Sequence, residues 1–514
     1  MHFWESVLCA LLASLFSAIL GGLYLAGAFR KRRHKEPPLD KGLIPWLGHG
    51  LNFKKNTVEF LEKMQKKHGD IFTVLVGGNY LNFVMNPHTY GTIIKKSKDR
   101  LDFNTFGSTI VFNVFGFHPR KSYHKVKETI NKKYLRGKNL ADLNQVMMEN
   151  LKTVIFCGLG SGDRERPWQQ DGVLHFSYKA MFQASFMTLF GTDPPQSGVS
   201  KETSKDHTTT QCGEWFEDFQ KFDKYLPQMV SGIMDPLSKK EMERLRNFFW
   251  DVLSVKKLSQ KDNISNWIAK VDQQMSKAGM AEKMRNQFMF TLFWASQANI
   301  GPATFWLFVH LLKHPEVMKA VKEEVDRILK ETDQEVKPGS PLINVSLETI
   351  KTPLLDSAIQ ETLRMRVSSF LFRSIMEDMD LTMADGREYS LWKGDQLILF
   401  PFIGLHMDPE IYPDPQTFKY DRFLNPDGMK KEFYKNGEKL NYYSMQWGGG
   451  GPSMCPGRFF AVSEMKMFVM LMVTYFDMEL VNKEENIPPV DASHCGIGIA
   501  HPSHDIQFRY RQRI

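Results

Sequence analysis

The 514-residue chain reads as a mainly α protein with a minor β-sheet, one large helix-rich domain behind an N-terminal transmembrane helix. Three observations carry that reading. Helical periodicity dominates from about residue 88 to 335, and strand-like alternation is confined to a few short pieces. No repeat, low-complexity linker or second apolar core divides the chain. With 42% hydrophobic residues and 39 Phe, there is material for a large, partly aromatic core. The expected parts are an anchor over 1–29, a basic and Pro/Gly-rich connector over 30–50, and the folded body over 51–514.

Residues 7–29 carry no charge and as a helix would span about 34 Å, against a hydrocarbon core of about 30 Å. The run Arg30-Lys31-Arg32-Arg33-His34-Lys35 follows, supplying five of the positives behind a net charge of +8. A cleaved signal peptide is the competing reading, and Ala26-Gly27-Ala28 would suit cleavage. The apolar stretch is too long for one, however, and no Lys or Arg precedes it. An uncleaved single-pass anchor with the body in the cytosol is expected. Glu36-Pro37-Pro38 and the segment from Gly42 to Gly48 then form a stiff, helix-poor connector. Residues 71–85 read as a hairpin turning at Gly77-Gly78-Asn79. Residues 283–312 form the longest apolar helical candidate, expected to run buried through the body. Strand-like pieces return at 380–383, 396–400 and 506–510. Five scattered cysteines (Cys9, Cys157, Cys212, Cys455, Cys495) argue against a disulfide framework and for a reducing compartment.

Residues 447–461 read Trp-Gly-Gly-Gly-Gly-Pro-Ser-Met-Cys-Pro-Gly-Arg-Phe-Phe-Ala. A nearly side-chain-free loop delivers Cys455 to the start of a long apolar helix, whose free N–H groups favour a thiolate. Alone, the loop fits a buried structural cysteine equally well. Glu361 and Arg364 stand three apart on one helical face, a spacing that Glu241/Arg244 and Glu324/Arg327 share and that means little by itself. The order is more telling. After that pair come His406-Met407-Asp408-Pro409 with its Pro/Asp punctuation, then Phe418-Lys419-Tyr420-Asp421-Arg422-Phe423, then the Cys455 loop.

That order and spacing resemble the cytochrome P450 family of haem-thiolate monooxygenases. Trp294-Ala295-Ser296-Gln297-Ala298-Asn299, Tyr420-Asp421-Arg422-Phe423-Leu424-Asn425-Pro426 and Pro502-Ser503-His504-Asp505-Ile506 resemble in particular its sterol 12α-hydroxylases of bile-acid synthesis. The resemblance implies the P450 fold over the body, haem b with Cys455 as axial ligand of the iron, and a structural ion network of Glu361, Arg364 and Arg422. It also implies O₂ as co-substrate and electrons from NADPH through NADPH–cytochrome P450 reductase. The site would be the cytosolic face of the endoplasmic reticulum membrane, with a sterol substrate and no nucleic acid partner. A 7α-hydroxylase and a prostacyclin-synthase-like endoperoxide isomerase remain alternatives, because those relatives share parts of the pattern.

Several positions depart from the family pattern. Ala298 and Asn299 stand where most members carry an acid–alcohol pair for proton delivery, leaving Asn299 as oxygen-side donor or as a buried amide bonded within the helix. Tyr123 and Lys127 replace the usual Trp-x-x-x-Arg propionate clamp, so Lys127 and Arg373 are the candidate propionate partners. Ser453 replaces an arginine, and a fourth glycine separates Trp447, expected near the proximal sulfur, from Cys455. Trp294, Ala298, Phe370 and the turn holding Gly496, Ile497 and Ile499 are candidate walls of the substrate pocket, core packing being the alternative for Trp294.

Overall fold

The computed structural model describes residues 2–96, 99–119, 121–156, 167–195, 200–232, 234–337, 340–448, 450 and 453–513. Helix takes 54% of the chain and strand 14%, the mainly α class with a minor sheet. Cys157, Gly449, Gly451 and Pro452 lie outside the described residues.

The first helix, His2–Leu25, is apolar enough to cross a membrane over Trp4–Leu25, and none of that span is covered by protein. It ends four residues before the expected boundary at 29, where Gly27 turns the chain in the left-handed region (φ +73°). The basic run beyond it is not a free solvated tail. Arg30 bonds the fully buried Glu36 and lies 2.7 Å from Asp395, and Arg33 lies over the Trp392 ring at 4.0 Å. The Arg32 guanidinium also donates to the Glu36 carbonyl at 2.8 Å, so Arg30, Arg32 and Arg33 are all tied to the fold, the last two from its surface.

The body gathers into two compact units. The first comprises residues 1–106, 368–415 and 433–453. Its core is a six-stranded sheet in the order Leu39–Asp40, Ile71–Val76, Asn79–Val84, Gln396–Leu399, Leu371–Ile375, Leu101–Asp102. The 71–85 segment forms the expected hairpin, Val76 facing Asn79 across Gly77 and Gly78. Its β-branched and aromatic residues suit a sheet buried on both faces.

The second unit comprises residues 107–367, 416–432 and 454–514 and is mostly helical. At its centre Val173–Phe190 packs on Ile300–Lys313, both almost wholly buried. Gly301 permits that approach, since a Cβ there would fall 1.8 Å from the Tyr178 ring. The expected continuous helix over 283–312 is in fact two, Glu282–Gln297 and Ile300–Lys313, interrupted at Ala298 and Asn299. Pro302 supplies the reason. It has no N–H to offer the Ala298 carbonyl, and its ring crowds that carbonyl. Arg458–Tyr475 follows the Cys455 loop into the core, and Phe476–Leu480, Gln507–Gln512 and Gln169–Gly172 form a three-stranded sheet.

Candidate functional site

Cys455 lies two residues before Gly457, the N-cap of Arg458–Tyr475. The backbone N–H groups of Gly457 and Arg458 both donate to its sulfur, and the Arg458 side chain bonds the Cys455 carbonyl at 2.9 Å. Solvent reaches the residue, yet burial pushes the thiol up, against those N–H bonds and the Arg458 charge that lower it. An exposed residue with a desolvated sulfur sits in a recess rather than on a convex surface. The helix start alone therefore does not make this a thiolate, contrary to the sequence expectation. A bound metal ion would supply the missing positive charge. A separate surface hollow of about 610 Å³, lined by Glu149, Lys152, Phe156 and Leu342, includes no residue of this recess.

Glu361 and Arg364 are fully buried and Arg422 nearly so. Arg364 grips Glu361 with two bonds, Nε at 2.7 Å and Nη2 at 3.0 Å, and Arg422 Nε donates to the same carboxylate at 2.7 Å. The Lys419 N–H and the Thr417 carbonyl complete the cluster at 3.2 and 2.7 Å. By contrast Glu241 and Arg244, with the same spacing, pair at 2.8 Å on the surface, 36% and 51% exposed. Position in the fold, not spacing, separates a structural network from a solvated pair.

Between residues 287 and 311 no side chain is exposed apart from Ala295 and Asn299, one helical turn apart. They mark the open face of the broken central helix. Ala298, expected on that wall, is buried. Trp294 is half-buried against Phe115, and its indole N–H donates to Asp223 at 2.8 Å. Asn299 does not bond within its helix; its Oδ1 accepts from the Ile499 N–H at 3.1 Å. Gly498 makes room for that amide, since a Cβ there would fall 2.4 Å from Oδ1. With Oδ1 committed as acceptor, Nδ2 is the donor and has no partner among the described residues. Thr304 bonds the Ile300 carbonyl and is fully buried, so it offers nothing to the open face.

The turn bearing Gly496, Ile497 and Ile499 is thus tied to the central helix through Ile499. Ile497 bonds back to the His494 carbonyl, and Gly496 adopts a left-handed φ of +92°. Phe370 lies in the other unit, half-buried among Phe53, Phe83 and Phe400. Trp447 and Ser453 also belong to that unit and are half-buried; in their loop Gly448 and Gly450 both take left-handed conformations. Arg373, again in the first unit, is buried, bonds the Phe372 carbonyl at 2.7 Å, and has its guanidinium pushed down by that burial.

Lys127 has its ammonium pushed down by burial, with no carboxylate within ion-pair distance among the described residues. A desolvated cation lacking its anion fits a ligand carboxylate, and a recessed sulfur held by two N–H groups fits a metal ligand. Together they match the chemistry of haem, an iron with two propionates. The sequence did not indicate Asp223, which organises Trp294, or Arg458 beside Cys455.

Comparison with known proteins agrees. The family model for cytochrome P450 matches residues 37–508. The chain is 44% identical to the rabbit (Oryctolagus cuniculus) 7-alpha-hydroxycholest-4-en-3-one 12-alpha-hydroxylase, covering 98% of this chain and 99% of the relative. It is 44% identical to the pig (Sus scrofa) 5-beta-cholestane-3-alpha,7-alpha-diol 12-alpha-hydroxylase over 100% and 99%, and 38% identical to rat (Rattus norvegicus) prostacyclin synthase over 94% and 95%. The monooxygenases of this family use haem iron and O₂, with electrons delivered by a reductase. A cysteine recess, a buried Glu-Arg-Arg cluster and a broken central helix with a polar residue at the break thus find their common explanation: the chain belongs to the cytochrome P450 family.

Proposed function

We propose that this chain hydroxylates the 12α position of 7α-hydroxycholest-4-en-3-one in bile-acid synthesis. It does so on the endoplasmic reticulum membrane, anchored by Trp4–Leu25 with the catalytic body in the cytosol, and takes electrons from NADPH–cytochrome P450 reductase. The observation that carries the reading is 43–44% identity to 12α-hydroxylases over nearly the whole of both chains, against 38% to prostacyclin synthase and to cytochrome P450 7A1.

Cys455 would hold the iron of a bound haem, and Lys127 and Arg373 are the residues that would meet its carboxylates. Bound haem supplies the oxygen activation and hydrogen abstraction of the family. The chain's own residues orient the sterol and manage protons. Asn299 is exposed, its Nδ2 carries two N–H donors and its amide cannot ionise, so it would hold a water or a polar oxygen rather than relay charge. Trp294 and the Gly496–Ile499 turn shape an apolar wall for a rigid polycyclic ligand. Glu361, Arg364 and Arg422 carry the fold around Cys455 and take no part in the chemistry.

Ala298 and Asn299 in place of the acid–alcohol pair favour one competing reading, an isomerase that rearranges an endoperoxide without reductase. Incubation of the purified protein with reductase, NADPH and 7α-hydroxycholest-4-en-3-one separates them, the product being located by mass spectrometry and NMR. A new 12α-hydroxyl dependent on NADPH is expected. Hydroxylation at another carbon, or endoperoxide turnover without reductase, would overturn the assignment.

A further inference from the structure

In the helical unit, and away from Cys455, Asp223, His494 and His501 place one ligand atom each within 4.8 Å of one another. Two imidazoles and a carboxylate invite a metal reading, but the geometry refuses it. The His494 and His501 rings stack at 4.3 Å with planes 14° apart. An imidazole nitrogen binds a metal along its own ring plane at about 2 Å, and two separated, nearly parallel planes share no such point. Both rings instead turn Nε2 toward Asp223 Oδ2, at 3.7 and 3.5 Å, close but longer than a hydrogen bond. His494 Nε2 also lies 3.2 Å from the Asp223 carbonyl. The other carboxylate oxygen, Oδ1, receives the Trp294 indole N–H at 2.8 Å.

The cluster joins three parts of the chain. Asp223 is the penultimate residue of Lys201–Lys224, Trp294 lies in Glu282–Gln297 beside the exposed Ala295, and the histidines flank the turn that bonds Asn299. Burial disfavours charge on both sides, raising Asp223 and driving His501 down to about 3. Among the described residues the hydrogen bond to that carboxylate comes from the Trp294 indole, and such a bond fixes direction where a counter-ion fixes little.

We propose that Asp223, packed against His494 and His501, is a positioning residue that fixes the Trp294 indole and so sets how a polycyclic substrate lies along the Ala295–Asn299 face. The substrate part of this proposal rests on the sterol reading above. The test compares Asp223→Ala, Asp223→Asn and Trp294→Phe in the full-length holoprotein. The readouts are the tryptophan-labelled indole ¹H–¹⁵N resonance lost in Trp294→Phe, the 7α-hydroxycholest-4-en-3-one Kd from the haem spin-state change, and the distribution of hydroxylated products. Asp223→Ala is expected to shift the indole resonance, weaken Kd about tenfold and spread the product positions. Asp223→Asn, which keeps an acceptor for the indole, should restore most of both. The double variant Asp223→Ala/Trp294→Phe should be no weaker than Trp294→Phe alone. Unchanged Kd and products in Asp223→Ala, or additive losses in the double variant, would overturn the proposal. Should Asp223→Ala lose its haem, Trp294→Phe decides, and wild-type behaviour in it sinks the idea. Stoichiometric non-haem metal that disappears in His501→Ala would also overturn it. A wild-type protein with no spin change on adding the sterol would fail the sterol reading, while the indole resonance still tests the hold of Asp223 on Trp294.

Discussion

Glu361 and Asp223 are both buried carboxylates of the helical unit, and they are held in opposite ways. Glu361 is gripped by two guanidiniums, one three residues away on its own helix and one 61 residues on, with bonds of 2.7 to 3.0 Å. The Asp223 carboxylate accepts from an indole 71 residues away, its backbone carbonyl bonds an imidazole 271 residues away, and among the described residues no arginine or lysine pairs with it. The first arrangement meets its charge with two full positive charges, one of them a turn away on the same helix, as befits a fixed structural support. The second rests on one indole N–H brought from a distant segment, as befits the positioning role proposed above. Glu464 is a third case, fully desolvated in Arg458–Tyr475 with the Ser185 hydroxyl as its partner and its acid pushed up to about 8.

Three substitutions probe that contrast, the largest effect first. Glu361→Gln leaves Arg364 and Arg422 buried without their anion and should cost about 3–5 kcal/mol in urea unfolding of the holoprotein, with loss of haem content. A cost near that expected for a surface pair, under about 1 kcal/mol, would erase the distinction from Glu241/Arg244. Glu464→Gln should act through pH. Because the folded acid titrates near 8, above its ordinary 4.5, its contribution is complete below pH 4.5 and is lost as pH rises through 8. The glutamine variant should flatten that loss and gain on the order of 2–4 kcal/mol over wild type above pH 8. Parallel stability–pH profiles would show Glu464 to be charged in the fold. Gly498→Ala drives a Cβ into Asn299 Oδ1 and should cost about 1–3 kcal/mol while cutting the coupling of NADPH use to product, measured as product per NADPH consumed. Unchanged coupling would mean that the Asn299–Ile499 bond does not orient the amide.

The hairpin at 71–85 and the strands near 380, 396 and 507 were legible in the sequence because alternation and glycine turns are local signals. The break in the central helix was not seen, although Pro302 announced it; the apolar run around it masked the missing N–H. At that break Ala295 and Asn299 are the exposed pair, with Trp294 half-buried and Ala298 buried beside them. The Cys455 loop was readable because its residues are consecutive. The Glu361/Arg364 spacing was readable and the family resemblance implied its structural network, whereas spacing alone cannot report burial, as the identical spacing of the exposed Glu241/Arg244 shows. The Asp223 cluster had no sequence signature at all, since nothing in a single chain says that residues 223, 294 and 494 meet.

The role of Cys455 as the iron's protein ligand is tested most directly by the absorption spectrum of the reduced, carbon-monoxide-bound holoprotein. The wild type should show the red-shifted band of thiolate ligation, and Cys455→Ala should lack it while keeping its helical circular dichroism. A histidine-type band in well-folded wild type, or a thiolate band that survives Cys455→Ala, would contradict it.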